Sequence, residues 1–400
     1  MRGFARVLSF DVISKAILAG LGIALIRFVP ASEYAAYTLA LAMCAFVTGS
    51  ISGSLNRLYL ITSEKGNPRE TSAALGVQLL LISLVAILGL PLTVTLGVNY
   101  ALVVALVVGT CATEFAKTCH QRDLAFTHYS LIELTRSALF AAAVGLLIWH
   151  HGSDLTASSV LAVQVLSLAL VASVALKSVL SATSIRFAAS KAYAQRFVRF
   201  KYLDFFAYFF LIGLFSQADI FMLKALGDDQ MLATYGSAFR YYGVLSLALT
   251  SAHAVLLPAL RHAEDAQALA GLLASHRRLV IGFGILCGAA AWAGFWVIPW
   301  VDTGRYPEAP TTFAVLSASA FISFAFSPYV NLLMRRQAFR FLLWLVAIAL
   351  PLNLVISAAL IPQLGALGAA ISLLTSSAFI TGLIFRKSRG LTGTLEPTHP

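Results

Sequence analysis

The residues of this chain best able to do chemistry stand where their cost is highest. Asp11, Lys15, Glu114, Lys117, Glu133, Arg136, Asp204, Asp219 and Arg240 all fall within or at the ends of long apolar runs. An ionisable side chain at the centre of a membrane helix costs about 2.5–3.5 kcal/mol on insertion scales, so such groups face a cavity or a partner. Asp11 and Lys15 are four residues apart, and Glu114/Lys117 and Glu133/Arg136 are three apart, so each pair shares one helix face. Asp219 lies seven residues before the end of one run and Arg240 eight residues into the next. At 1.5 Å rise both sit roughly 10–12 Å below the same surface, where antiparallel neighbours would let them pair. Asp204 and Asp219 are fifteen residues apart, and on one helix their directions differ by about 60°. Two readings stand for the local pairs: charge neutralisation that fixes helix packing, or a role towards a charged passenger. His253 is read either as a hydrogen-bonded buried histidine or as a proton relay.

The elements that position these groups are membrane spans. Seven stretches, 34–56, 73–96, 158–176, 279–300, 310–334, 341–361 and 364–385, contain no Asp, Glu, Lys or Arg. Each is long enough to cross a hydrocarbon layer as a helix, which takes about 20 residues. Five more runs carry a few charges: 12–29, 98–118, 131–149, 202–226 and 232–260. The expectation is an all-α polytopic membrane protein of twelve transmembrane helices. Residues 12–29 read as the first helix and not as a cleaved signal segment, because no small-residue cleavage site follows them. With 59% hydrophobic and 11% charged residues among 400, almost nothing is left over for a soluble domain.

The net charge of +11 points to lipid and membrane orientation, not to nucleic acid, because the basic residues occupy short loops between apolar spans. With the N-terminus cytoplasmic, 22 Lys and Arg fall on the inner side and only Arg27, Lys224 and Arg305 on the outer. The positive-inside rule thus places both termini in the cytoplasm. The outer loops are short. The longest inner segment, 177–201, contains an amphipathic stretch, 184–202, that fits a helix lying on an anionic leaflet. Cys44, Cys111, Cys119 and Cys287 show neither CxxC nor metal-ligand spacing and read as buried free thiols.

A break in the middle leaves six spans on each side: 1–180 as the first lobe, 181–201 as a cytoplasmic linker, 202–385 as the second lobe and 386–400 as a tail. Weak echoes support duplication. Arg27 precedes Tyr37 as Lys224 precedes Tyr235, and RDLAF (122–126) matches RRQAF (335–339) in R-x-x-A-F. Repeated halves usually hold their substrate between them near the midplane. Gly49-xxx-Gly53 and Gly284-xxx-Gly288 permit close helix approach, and Pro91, Pro299, Pro328 and Pro351 mark kinks or ends.

FSQADIFMLKALGDDQMLATYGSAFRYYGVLSLALTSAHAVLLPAL (215–260) resembles the seventh and eighth helices of Wzx-type oligosaccharide flippases, members of the MOP superfamily that also holds MATE-type multidrug antiporters. The features are Asp219, Tyr235, Ala238, Arg240 and Pro258. RYPEAP (305–310) and LIPQLGALGAAIS (360–372) resemble later family segments, and IRFVPASEYAAYTLA fits the opening pattern, with Ala36 standing where Gly is usual. The resemblance implies two six-helix lobes around a central cleft lined by helices 1, 2, 7 and 8. It also implies transfer of an undecaprenyl-pyrophosphate-linked glycan across the cytoplasmic (inner) membrane of a bacterium. Lys15, Arg136 and Arg240 would then present cations to a pyrophosphate or acidic glycan, since the planar fork of Arg binds phosphate bidentately. Asp11, Asp204, Asp219, Glu114 and Glu133 would pair with these or carry a coupling H⁺ or Na⁺. Membrane lipids and a glycan polymerase machinery are the expected partners.

The rival within the same fold is a cation-coupled multidrug exporter. A membrane glycan polymerase or ligase is the rival of another class. It is disfavoured because such enzymes need a sizeable outer loop, and 301–309 is only nine residues long. No Walker motif, dinucleotide fingerprint, zincin motif or nucleophile elbow occurs, so no enzyme, metal or cofactor is expected.

Overall fold

A computed structural model of the chain describes residues 2–62, 68–90, 99–152, 154–180, 203–262, 266–336 and 338–389. Among the described residues there is no strand. The helices are α1 (Arg2–Phe28), α2 (Ala31–Val47), a π-helical turn (Thr48–Ser52), α3 (Gly53–Thr62), α4 (Pro68–Leu88), α5 (Tyr100–Arg122), α6 (Phe126–His151), α7 (Ala157–Val179), α8 (Leu203–Phe215), α9 (Ala218–Leu226), α10 (Asp229–His262), α11 (Ala266–Val301), α12 (Ala309–Arg335) and α13 (Phe339–Arg389). The linker 181–201, Pro91 and most of the tail lie outside the described residues, as do the side chains of Asp11 and His253.

Local chemistry sets the helix ends. Asn99 caps α5 by accepting from the Ala101 amide at 2.9 Å, and Thr156 caps α7 by accepting from Ser159 at 3.1 Å. Glu33 of α2 adds a second acceptor at the start of α7, taking the Ala157 amide at 2.6 Å. Pro68 begins α4, a position that needs no backbone N–H.

Among the described residues, eight helical stretches are long and apolar enough to cross a membrane, nine if α8 and α9 form one broken span. The chain is therefore a multi-pass membrane protein, and every expected window falls largely on a described helix. One helix holds two windows. In α13, Gly365 has φ 54°, which breaks helical geometry. A Cβ on Gly368 would lie 2.5 Å from the Leu360 carbonyl oxygen, so the chain reverses there with backbone nearly touching backbone. Lys387 accordingly stands over the Phe341 ring at 5.8 Å, closing the far end of the hairpin.

The exposed face of α11 gives a thickness. Ile281, Ile285, Trp292, Trp296 and Trp300 are all large and exposed. Arg278 at one end and Trp300 at the other are separated by about 33 Å at 1.5 Å per residue, close to the roughly 30 Å of a hydrocarbon core. Indole rings favour the interfacial layer at such an end.

Contacts divide the chain into two compact units, Met1–Gln217 and Ala218–Pro400. In the first, α1 packs on α6, and α5 packs on α7. Leu55, Leu58, Tyr59, Leu75, Phe115 and Cys119 form a core among α3, α4 and α5. Here α8 packs against the π turn. A Cβ on Gly213 would meet Ser50 and lie 3.4 Å from the Phe46 carbonyl, so only glycine lets this approach occur. The close contact expected at Gly49 and Gly53 is made instead by Gly213, because Gly49 has open space beside it. In the second unit, α12 is central and packs on α10, α11 and α13. Gly284 admits the Phe321 ring at 2.9 Å from where a Cβ would stand, whereas Gly288 faces open space.

Candidate functional site

The first unit joins the two local pairs into one chain of charge. Lys117 Nζ donates to Glu114 Oε1 and to Glu133 Oε2, each at 2.9 Å, and Arg136 donates to the other oxygen of Glu133. The link from Lys117 to Glu133 runs between α5 and α6, so the register of these helices decides it. The Lys117 and Glu133 side chains are only 8% and 7% exposed, and the Tyr129 ring lies 5.0 Å from the ammonium. Two acids and two bases cancel formally. The chain gives its buried members, Lys117 and Glu133, counter-ions, which is what buried charge requires.

A second polar cluster joins α3, α4 and the end of α5. Arg122 forks onto Asp123, with Nε to Oδ1 at 2.9 Å and Nη2 to Oδ2 at 3.2 Å. It also donates to Tyr59, whose hydroxyl lies 2.7 Å from Thr71 Oγ1. In the sequence Arg122 reads as an inner-loop residue, and nothing in the spacing singles out Tyr59 or Thr71. Arg57, also assigned to the inner side, belongs to α3, with its guanidinium 4.5 Å from the Phe209 ring.

The second unit builds a carboxylate site. Asp219 stands in the first turn of α9 and accepts a hydrogen bond from the Tyr235 hydroxyl of α10. Both residues are almost wholly buried. The Asn353 amide of α13 stands near this carboxylate without closing a well-formed hydrogen bond. Ser357, one turn further along α13, is also fully buried. Among the described residues, Asp219 Oδ1, both amide atoms of Asn353 and the Ser357 hydroxyl have no hydrogen-bond partner. Buried polar atoms are normally satisfied, so the Asp219 carboxylate with the Asn353 amide near it can take up a proton or a small cation. The expected partner of Asp219 is Arg240, but its described partner is Tyr235. Arg240 lies five residues beyond Tyr235 on α10, which turns it about 140° away round the helix.

Asp302, just beyond the end of α11, is the carboxylate that sequence reasoning passes over. It reads as part of a solvated outer loop, yet it is fully buried, with the Ser237 hydroxyl donating to it at 3.4 Å. Burial raises its pKa from an ordinary 3.8 to about 6, against the opposing pull of Ser237 and Arg305. The left-handed pair Thr303 and Gly304, at φ 54° and 72°, turns the chain over it.

The remaining expected residues, Lys15 on α1, Asp204 in the first turn of α8 and Arg240 on α10, are half-buried. The 60° relation between Asp204 and Asp219 assumed an unbroken helix, and the helix is interrupted at Ser216 and Gln217. No group of three or more His, Cys, Asp or Glu able to hold a metal occurs among the described residues.

No protein-family model matches the chain, and no curated protein does. Solved structures do. A lipid II flippase MurJ in an inward closed conformation superposes with a TM-score of 0.73 over 96% of this chain and 87% of its own, at 12% identity. An inward-facing multidrug resistance MATE family transporter of the MOP superfamily gives 0.61, covering 97% and 96% at 13% identity. A MATE in the bent conformation gives 0.58, covering 98% and 95% at 15% identity. At such identities the likeness speaks for the fold. The chain shares the all-helical fold of these solved structures along nearly its whole length.

Proposed function

We propose that this protein is a secondary transporter, and within that class a flippase that moves an undecaprenyl-pyrophosphate-linked oligosaccharide from the inner to the outer leaflet of the cytoplasmic membrane by alternating access. The observation that carries the reading is the fold shared with flippase and exporter structures, combined with bases as well as acids inside apolar helices. An exporter of basic drugs has little use for buried cations, whereas a pyrophosphate or acidic glycan has direct use for them. Lys15, Arg136 and Arg240 are assigned to the cargo. Arg136 already has Glu133 as counter-ion, so it would exchange partners when the cargo arrives. Asp219, with Tyr235 and Asn353 beside it, is assigned to the coupling ion, H⁺ or Na⁺. Both termini are placed in the cytoplasm, and a glycan polymerase is the expected consumer of the product.

A cation-coupled multidrug exporter is the second reading, favoured by the likeness to MATE structures and by the buried carboxylate of Asp219. A deletion strain separates the two. Trapping of lipid-linked repeat units on the inner leaflet, relieved by the wild-type gene but not by Arg240→Gln at equal protein level, is the expected result. Normal glycan export in that strain together with new drug sensitivity would favour the exporter and sink the flippase reading. Asp219→Asn is expected to stop transport under either reading while leaving the folded protein intact.

A further inference from the structure

A buried backbone carbonyl has no water to turn to, so a proline inside a packed helix leaves an acceptor unserved four residues upstream. Pro328 lies inside α12, and the carbonyl it cannot serve belongs to Phe324. That oxygen is not left alone. His276 of α11, only 4% exposed, places Nε2 3.1 Å from it. A carbonyl can only accept, so Nε2 carries the proton. The imidazole also stacks on the Phe324 ring, with centroids 5.2 Å apart and planes at 27°. Phe283, two turns along α11, stacks on the same ring at 4.3 Å and 30°. Gly284 beside it lets Phe321 come close. Along this line, α11 is shaped around the segment of α12 that precedes the proline.

We propose that His276 is the positioning residue of the proline site in α12: its Nε2–H replaces the amide that Pro328 lacks and holds that segment in one conformation against α11. A donor supplied by a neighbouring helix differs from one supplied by the helix itself. It fixes the local bend and the α11–α12 register with the same bond, so the two helices behave as one block. A histidine in an apolar setting needs a buried acceptor, and a proline in a helix creates one. The spacing in sequence cannot reveal the match, because 48 residues separate donor from acceptor.

Amide hydrogen exchange on the full chain in nanodiscs tests this. His276→Phe keeps the ring stack and removes the donor. It is expected to speed exchange of the amides between 325 and 333 roughly ten-fold, the worth of one hydrogen bond, with α13 unchanged. Pro328→Ala restores an amide to the Phe324 carbonyl, so the double variant His276→Phe/Pro328→Ala is expected to return to within about two-fold of the wild type. Unchanged exchange in His276→Phe, or an acceleration that persists in the double variant, would overturn the proposal. If His276→Phe does not accumulate, nitrogen-15 spectra of His276 decide instead. The Nε2-protonated ring in the wild type, with a changed tautomer balance in Pro328→Ala, supports the assignment, and an Nδ1-protonated wild-type ring refutes it.

Discussion

Lys117 and Glu133 meet at 2.9 Å across the α5–α6 boundary, and their bond turns two local pairs into a neutral four-membered chain. Each of these residues already has a partner three positions away, Glu114 for Lys117 and Arg136 for Glu133. The cross-helix bond is what ties those partners together.

Removing the hub takes the counter-ion from Glu114, whose side chain is 41% exposed, while the buried Glu133 keeps Arg136. Lys117→Ala is expected to destabilise the protein by roughly 0.5–3 kcal/mol, the range of ordinary destabilising substitutions. Adding Glu133→Gln would strand Arg136 and worsen it. Lys117→Met with Glu114→Gln, which keeps Glu133 paired to Arg136, is expected to recover much of the loss. Thermal melts in detergent read the series, and equal stability of Lys117→Ala and wild type would show that the pair is solvated.

Asp302 predicts a pH dependence of defined sign. Its folded pKa, about 6, lies above the ordinary 3.8, so the native state binds the proton more tightly than the unfolded chain. Stability from this group is therefore greatest below pH 4 and declines as pH rises towards 6. Asp302→Asn retains an acceptor for Ser237 and removes the charge. It is expected to flatten the melting temperature between pH 4 and 6 and to raise it at pH 7. A slope unchanged by the substitution would assign the titration elsewhere.

The hairpin of α13 depends on an absent side chain. In Gly368→Ala the new Cβ would stand 2.5 Å from the Leu360 carbonyl oxygen, and backbone cannot swing away as a side chain can. The expected cost is roughly 1–3 kcal/mol, the range for overpacking a tight site. Gly288→Ala, which meets nothing within 4 Å, serves as the control in the same melts and should be nearly neutral.

Sidedness is open to direct measurement because Cys44, Cys111, Cys119 and Cys287 are free and buried, giving a low background. Arg278→Cys and Thr303→Cys replace exposed residues near opposite ends of α11. An impermeant maleimide added to intact cells is expected to label Thr303→Cys and to reach Arg278→Cys only after permeabilisation. The reverse pattern would invert the orientation read from the basic loops.

Much of the fold was open to reading in one dimension. Apolar windows of membrane length map onto helices, because in a bilayer every backbone group must be satisfied within its own segment and hydropathy reports that need directly. The local acid–base pairs were equally accessible, since positions three apart share a helix face whatever the rest of the chain does. Asp302 was not. Its burial depends on a left-handed turn at Thr303 and Gly304 and on Ser237 arriving from α10, and composition alone makes such a loop look solvated.

Membrane residence, the rough course of each helix and the ionisable residues carried into those helices all follow from side-chain transfer costs read along the chain. Partners emerge in three dimensions alone: Tyr235 for Asp219, Glu133 for Lys117, and the Phe324 carbonyl for His276. Choice of partner depends on the rotation and register of helices distant in the chain. Those are fixed by packing details such as the missing Cβ atoms of Gly213 and Gly284, which no periodicity in a single sequence encodes.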